Sequence, residues 1–113
     1  MFEYPAKIVS VYDGDTCRAD IDLGFGVVLK NQSLRVHGID APEIGTDGGG
    51  KAREFARTLM PATLVVRIQT FKDAKEKYGR YLAKITLPDG SDFASTMIAE
   101  GHGKTYFGGT REP

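Results

Sequence analysis

One stretch organises the rest of the chain: Leu34-Arg35-Val36-His37-Gly38-Ile39-Asp40-Ala41-Pro42-Glu43. It begins with the alternation of a strand and ends in a turn. Pro42 fixes its own φ and has no N–H, and it restricts Ala41 to an extended conformation. A stiff turn therefore presents two carboxylates, from Asp40 and Glu43, together with a backbone carbonyl. These are the oxygen ligands that a hard cation such as calcium takes.

The same stretch carries a cation of its own, Arg35, five residues before Asp40. An odd spacing in a strand puts two side chains on opposite faces. A bend between them, expected at Gly38, is needed to bring both to one site. Taken alone, the stretch is better explained by a strand end followed by a proline turn, so a functional interpretation depends on the rest of the chain.

Size and composition indicate one ordinary globular domain. The chain has 113 residues, of which 41% are hydrophobic and 27% are charged, enough for one modest core. No apolar run approaches the roughly 18 residues of a membrane span, so no membrane association is expected. The segment Met1–Pro5 lacks the features of a signal peptide. We therefore expect the protein to be intracellular, or secreted with its signal removed. Cys17 is the only cysteine, which excludes an internal disulfide and a cysteine-rich zinc site.

Charge is balanced overall but separated along the chain. The formal net charge is +0, yet residues 67–84 hold six basic and two acidic residues, and residues 13–22 hold four Asp against Arg18 alone. A zero sum argues against indiscriminate binding to nucleic acid. The separation suits a metal site beside an anion site.

Five segments alternate or are rich in β-branched residues, and two carry apolar residues at helical spacing. The predicted strands cover residues 6–12, 16–23, 27–37, 64–71 and 80–87, and the predicted helices cover residues 51–60 and 92–100. The third strand is long enough to require a bulge near Asn31-Gln32. This order predicts a β-rich α+β fold, an OB-type five-stranded Greek-key barrel with two short helices. We expect a single domain over residues 1–113, with an irregular tail from about residue 102.

Several local motifs have plain structural explanations. Asp13-Gly14-Asp15 is a hairpin turn signal in which Gly14 can take positive φ. The glycine-rich segment 45–52 resembles a P-loop, but Ala52 stands where a magnesium-binding hydroxyl is required, so a flexible loop is predicted there. Two isolated histidines are expected to be structural or exposed, and four aromatic residues are expected in the core: Tyr12, Phe71, Tyr81 and Phe93.

The combination of motifs and their order is more specific than any one of them. Asp13-Gly14-Asp15-Thr16, Arg35, Asp40-Ala41-Pro42-Glu43 and Tyr78-Gly79-Arg80 follow one another, with a helix before the last. In this the chain resembles the staphylococcal nuclease (thermonuclease-like) family, from about Ile8 to Gly103. The resemblance implies an OB-type barrel and calcium-dependent cleavage of DNA and RNA that leaves 3′-phosphates.

The resemblance also implies roles for individual residues. Calcium would be bound by the carboxylates of Asp15 and Asp40 and by the backbone carbonyl of Ala41. Glu43 would hold the attacking water as general base or orienter.

Four further residues match positions that contact phosphate in that family. Arg35 and Arg80 would contact the scissile phosphate, and Arg80 would stabilise the transition state. Lys77 and Tyr78 would touch a terminal phosphate of the bound nucleotide.

Two departures from the family pattern are visible. We expect no counterpart of the third, C-terminal helix of well-known members, and the net charge is zero where many members are strongly basic. The expected partners are DNA and RNA, with single strands preferred, and the expected state is a monomer or weak homodimer. The main alternative is a catalytically silent OB-fold nucleic-acid-binding module; a protein-interaction domain is a third possibility.

Overall fold

The structure, a computed structural model, describes residues 2–75 and 79–107. Within these residues, seven strands and two helices follow in the order β1 Phe2–Asp13, β2 Thr16–Gly24, β3 Val27–Val36, β4 Gly38–Asp40, α1 Asp47–Leu59, β5 Val65–Lys75, β6 Tyr81–Thr86, α2 Phe93–Ala99 and β7 Lys104–Tyr106.

Five of the strands form a closed barrel in the order β1-β2-β3-β6-β5. All neighbours are antiparallel except β3 and β6, which close the barrel as a parallel pair over three residue pairs, beginning with Leu34 beside Tyr81. Alternate residues of these strands point inward because side chains alternate across a strand. The expected five-stranded barrel of OB type with two helices is confirmed.

The core fills the barrel and continues beneath both helices. Its largest fully buried side chains include Phe93, Ile8, Leu34, Met60 and Met97. Helix α1 contributes Ala52 and Ala56, which are small enough to let it lie close to the barrel. Neither described helix is long and apolar enough to span a membrane.

Helix α1 begins earlier than its apolar pattern predicts. It starts at Asp47 rather than at Lys51, so the three consecutive glycines form its first turn and the prediction of a flexible glycine loop there is wrong. The reason is the cap: the Thr46 hydroxyl accepts a hydrogen bond from the Gly49 N–H at 3.0 Å. Such an N-cap stabilises a helix end by about 1 kcal/mol, comparable with the cost of one glycine.

The segment after residue 102 is also more ordered than expected. Residues Lys104–Tyr106 form β7, which pairs antiparallel with β4, so the prediction of an irregular tail from about residue 102 is wrong for these residues. The two strands are joined by backbone hydrogen bonds, and three residues are too few to show the alternation of side chains from which a strand is predicted.

The predictions of a bulge in β3 and of a buried Phe93 are confirmed, whereas the prediction of a buried Tyr12 is wrong. The bulge is present, since Lys30 and Asn31 stand opposite Asp20 alone and Asn31 has φ 52. Phe93 is buried as predicted, but Tyr12 is 64% exposed, so its assignment to the core is wrong. Tyr12 points outward because its neighbour Val11 takes the inward position.

Candidate functional site

Arg35 lies at the centre of a cluster of charged side chains at one end of the barrel. Its Nη1 donates to the backbone carbonyls of Val36 and Ile39, at 2.8 and 2.9 Å. Its Nη2 lies 3.7 Å from Asp15 Oδ2 and 3.8 Å from Asp40 Oδ1. The carbonyl bonds fix the guanidinium, so both carboxylates face a cation whose position is set by the backbone.

A break between β3 and β4 makes this cluster possible. Strand β3 ends at Val36, and the chain turns at His37. Gly38 has φ 93, a conformation that favours glycine. The chain then doubles back so that the Ile39 carbonyl and the Asp40 carboxylate face Arg35. The bend expected at Gly38 is therefore present, and it overcomes the odd spacing of Arg35 and Asp40.

Asp15 is the most enclosed acidic residue of the cluster, with 8% of its surface exposed. Its Oδ2 accepts from the Ala41 N–H at 2.8 Å, and its Oδ1 accepts from the Thr16 hydroxyl at 3.2 Å. Burial raises the pKa of Asp15 above its ordinary value, and the Ala41 N–H and the Arg35 charge partly offset that rise. The Ala41 bond also ties the acidic hairpin turn to the Asp40–Glu43 turn.

The hairpin turn itself needs glycine for space. Gly14 does not adopt positive φ; instead, a Cβ there would lie 2.7 Å from the Ala41 Cβ. The expectation that Gly14 serves through backbone freedom is therefore wrong, because close packing against the second turn is what requires glycine. This contact brings Asp15 within reach of Ala41.

Arg80 joins the cluster from a distant part of the chain. It immediately precedes β6, whose first residue, Tyr81, pairs with Leu34 of β3. Its Nη1 donates to the Thr16 hydroxyl at 3.2 Å. Barrel closure thus brings Arg80 to the hydroxyl that contacts Asp15, although 65 positions separate Arg80 from Asp15 in the sequence.

Glu43 lies at the edge of the cluster, and its exposed side chain stands on a fixed backbone. Its carbonyl accepts from the Thr46 N–H at 3.2 Å and from the Thr46 hydroxyl at 2.7 Å. A Cβ on Gly49 would overlap this same carbonyl. The start of α1 therefore holds the Glu43 backbone, while the Glu43 side chain is exposed to solvent.

Five of the eight sequence-predicted site residues are thus linked by direct contacts: Asp15, Arg35, Asp40, Ala41 and Arg80. Glu43 flanks them three residues beyond Asp40. The remaining two, Lys77 and Tyr78, lie outside the described residues.

The donor set suits a hard cation only in part. Two carboxylates and the Ala41 carbonyl are oxygen ligands of the kind that calcium prefers. Within residues 2–75 and 79–107, however, no group of three or more His, Cys, Asp or Glu side chains is close enough to hold a metal by itself. Because calcium takes six to eight oxygens, water and substrate oxygens would have to supply most of the shell.

Two residues of this region were given no functional role from the sequence: Thr16 was left unassigned, and His37 was expected to be structural or exposed. Thr16 stands between Asp15 and Arg80, and its only sequence signal is a hydroxyl next to an acidic residue. His37 packs against Phe71 and Phe107, with ring centroids 4.3 and 5.1 Å away. Burial lowers the pKa of His37, and Arg35 and Lys84 act in the same direction while Asp92 opposes them.

The sequence is similar to known proteins over most of its length. A family model described as staphylococcal nuclease homologue matches residues 33–112. Endonuclease YhcR of Bacillus subtilis is 27% identical over 116 residues, which cover 93% of this chain and 9% of that protein. The thermonuclease of Staphylococcus hyicus is 33% identical over 91 residues, covering 75% of this chain and 50% of its own length. An uncharacterised protein of Methanocaldococcus jannaschii is 29% identical over 129 residues, covering 91% and 59%. The chain therefore spans less than two thirds of each of these relatives.

Proposed function

The chain belongs to the staphylococcal nuclease homologue family, and from that premise we propose that it hydrolyses phosphodiester bonds of DNA and RNA. We further propose that the reaction depends on calcium, prefers single strands and leaves 3′-phosphates. The observation that carries the proposal is the placement of Arg35 between Asp15 and Asp40, with Arg80 joined to Asp15 through Thr16. A site with two fixed guanidinium groups and two carboxylates suits an anionic substrate that arrives with a cation.

The two arginines bind and neutralise the phosphate. A guanidinium stays protonated and offers paired donors that match phosphate oxygens. Arg35 keeps Nη1 on two carbonyls, and its Nη2, which faces both carboxylates from beyond hydrogen-bond distance, would donate to a phosphate that binds beside them. Arg80 stabilises the charge that develops on the phosphorane and on the leaving oxygen.

Asp15, Asp40 and the Ala41 carbonyl would hold the calcium ion. When bound, such an ion supplies positive charge next to the phosphate and orients its ligands. Glu43 orients the attacking water, or takes its proton, from the exposed end of an anchored turn.

The test is hydrolysis of a single-stranded oligonucleotide with calcium, with magnesium and with chelator, followed by analysis of the product ends. We expect turnover with calcium, weak turnover with magnesium and none with chelator. Glu43→Gln and Arg80→Lys should lower kcat far more than they raise KM, since both side chains act in the transition state. Glu54→Gln is a matched control because Glu54 pairs with Arg57 on α1, away from the cluster.

The alternative is a silent binding module on the same barrel. The observation that favours it is the exposed ring of Phe107, 69% accessible, packed against His37 beside the cluster. Aromatic rings of this kind stack on nucleobases. Retention of the oligonucleotide without cleavage, in calcium and in chelator alike, would favour this alternative over the nuclease.

A further inference from the structure

The Thr16 hydroxyl lies between two residues of the proposed site that come from different parts of the fold. Thr16 Oγ1 is 3.2 Å from Asp15 Oδ1 and 3.2 Å from Arg80 Nη1. Asp15 belongs to the turn between β1 and β2, and Arg80 immediately precedes β6. One hydroxyl therefore contacts both a candidate metal ligand and a candidate phosphate ligand.

The direction of both hydrogen bonds follows from the chemistry of the groups. A guanidinium has donors and no acceptor, so Arg80 donates and the hydroxyl oxygen accepts. The single hydroxyl proton is then directed at the Asp15 carboxylate, which accepts. Each bond strengthens the other, because donation from a cation polarises the O–H that faces the anion.

The backbone around Thr16 fixes the position of this hydroxyl. Thr16 is the first residue of β2 and pairs with Asp13 of β1 and with Arg35 of β3. The preceding residue is anchored as well, since the Asp15 carbonyl accepts from the Val36 N–H at 2.8 Å. Threonine is also stiff at χ1, so its oxygen is held by both backbone and side chain.

We propose that Thr16 is a positioning residue that orients Asp15 and Arg80 relative to each other. This rests on the proposed nuclease function and adds to it. Without the hydroxyl, Asp15 loses a donor that fixes the plane of its carboxylate, and Arg80 loses an acceptor that fixes its guanidinium. Partners of this kind, one step removed from the ligands, change metal affinity or activity by about 10–100-fold when they are replaced.

The experiment compares Thr16→Val, which removes the hydroxyl at nearly constant shape, with Thr16→Ser, which keeps it. Thr58→Val is the matched control, since the Thr58 hydroxyl donates to the Phe55 carbonyl of its own helix, outside the cluster. Two quantities are measured for each variant: the calcium affinity of the protein alone by titration calorimetry, and kcat and KM for a single-stranded oligonucleotide.

We expect Thr16→Val to weaken calcium binding and to lower kcat, each by about tenfold or more, with KM changed less than threefold. Thr16→Ser should recover most of both quantities, and Thr58→Val should leave both unchanged. Equal loss in Thr16→Val and Thr16→Ser would overturn the proposal, because strand packing rather than the hydroxyl would then be responsible. Unchanged calcium affinity and kcat in Thr16→Val would overturn it as well.

The two measurements keep this inference apart from the proposed function. If the wild-type protein binds calcium but cleaves nothing, the nuclease proposal fails, while the calcium affinities of the valine and serine variants still decide the role of the hydroxyl.

Discussion

Single residues set the position of the site mainly through the space they leave empty. Gly14 allows the acidic hairpin turn to contact Ala41, and Gly49 allows the first turn of α1 to lie against the Glu43 backbone. Neither residue carries a functional group. The absence of a Cβ at these two positions nevertheless determines where Asp15 and Glu43 lie.

Gly49→Ala should be destabilising, and Gly50→Ala should not. A Cβ at position 49 meets the Glu43 carbonyl, whereas a Cβ at position 50 meets nothing within 4 Å. We expect Gly49→Ala to lower the free energy of unfolding by more than about 2 kcal/mol. Gly50→Ala should raise it by about 0.5 kcal/mol, because alanine favours a helix. Urea unfolding of both variants checks this; equal stabilities would contradict the close approach.

Cys17 should be unreactive in the folded protein. Its side chain is 1% exposed, and burial, with a smaller contribution from Asp13, raises the pKa of the thiol from 9.0 to about 12. The thiolate is the reactive form, so a thiol reagent at pH 8 should modify Cys17 only after denaturant is added. Rapid modification without denaturant would contradict this burial.

The same shift makes stability depend on pH. The folded state holds the Cys17 proton more tightly than the unfolded state does. The stabilising contribution is therefore complete below pH 9 and is lost as pH rises through the folded pKa of about 12. Cys17→Ala should show a smaller loss of stability over this window in thermal unfolding, although it leaves a small cavity.

At the scale of elements, strands with a clear alternation could be predicted from the sequence, and elements defined by backbone contacts could not. The five barrel strands and the apolar part of α1 carry their burial pattern in their side chains. The glycine turn of α1 depends on the Thr46 cap, and β4 and β7 depend on pairing with each other. Such backbone interactions do not require a periodic pattern of apolar side chains, so the sequence does not reveal them.

The same distinction holds for the site: residues in local motifs could be predicted, and contacts that depend on strand pairing could not. Asp15, Arg35, Asp40 and Arg80 were identified from motifs, and the structure joins them. The role of Thr16 could not be predicted, because it depends on the parallel pairing of β3 with β6 that brings Arg80 to it. That pairing joins segments far apart in sequence.

The β2–β3 hairpin contains a strained turn that can be relieved. Gly24 pairs with Val27, and both central residues have positive φ, 56 for Phe25 and 78 for Gly26. Type I′ turns of this kind favour Asn-Gly, and Phe25 is fully exposed, so its ring contributes no packing. Phe25→Asn should therefore raise stability by about 1 kcal/mol, seen as a melting temperature higher by about 4 °C. Gly26→Ala should lower it, and a lower melting temperature for Phe25→Asn would argue against the turn geometry.

At the scale of the whole molecule, the balanced charge limits long-range attraction to nucleic acid. The formal net charge is +0, and screening acts over about 8 Å at physiological salt. Binding of the proposed nucleic-acid substrate must then come from local contacts at the cluster and from the basic stretch between residues 67 and 84. A flexible single strand can bring its phosphates to such a compact site more easily than a stiff duplex.

Neutralising Lys75 and Lys77 together should weaken single-strand binding for all sequences alike. If both contact phosphates, the slope of log K against log salt should fall by about 0.7 for each lost contact. Neutralising Lys7 and Lys30 is the control, since Lys30 already pairs with Asp20 on the distant hairpin. A changed base preference with an unchanged slope would show that these two lysines read bases instead.

The pairing of β4 with β7 has a mechanical consequence. Three residue pairs join the strands, and the last of them sets Asp40 beside Lys104. Tension applied to the chain after residue 107 would load this short pairing first and peel it from Tyr106 towards Lys104, one pair at a time. Four of the five barrel pairings are longer, and the strands of the three-pair β3–β6 ladder are each also paired on their other side, so the barrel would still hold. Force on the C-terminal side would thus reach Asp40 before it unfolds the domain, so a tethered molecule should lose the proposed cation binding at a lower load than it loses its fold.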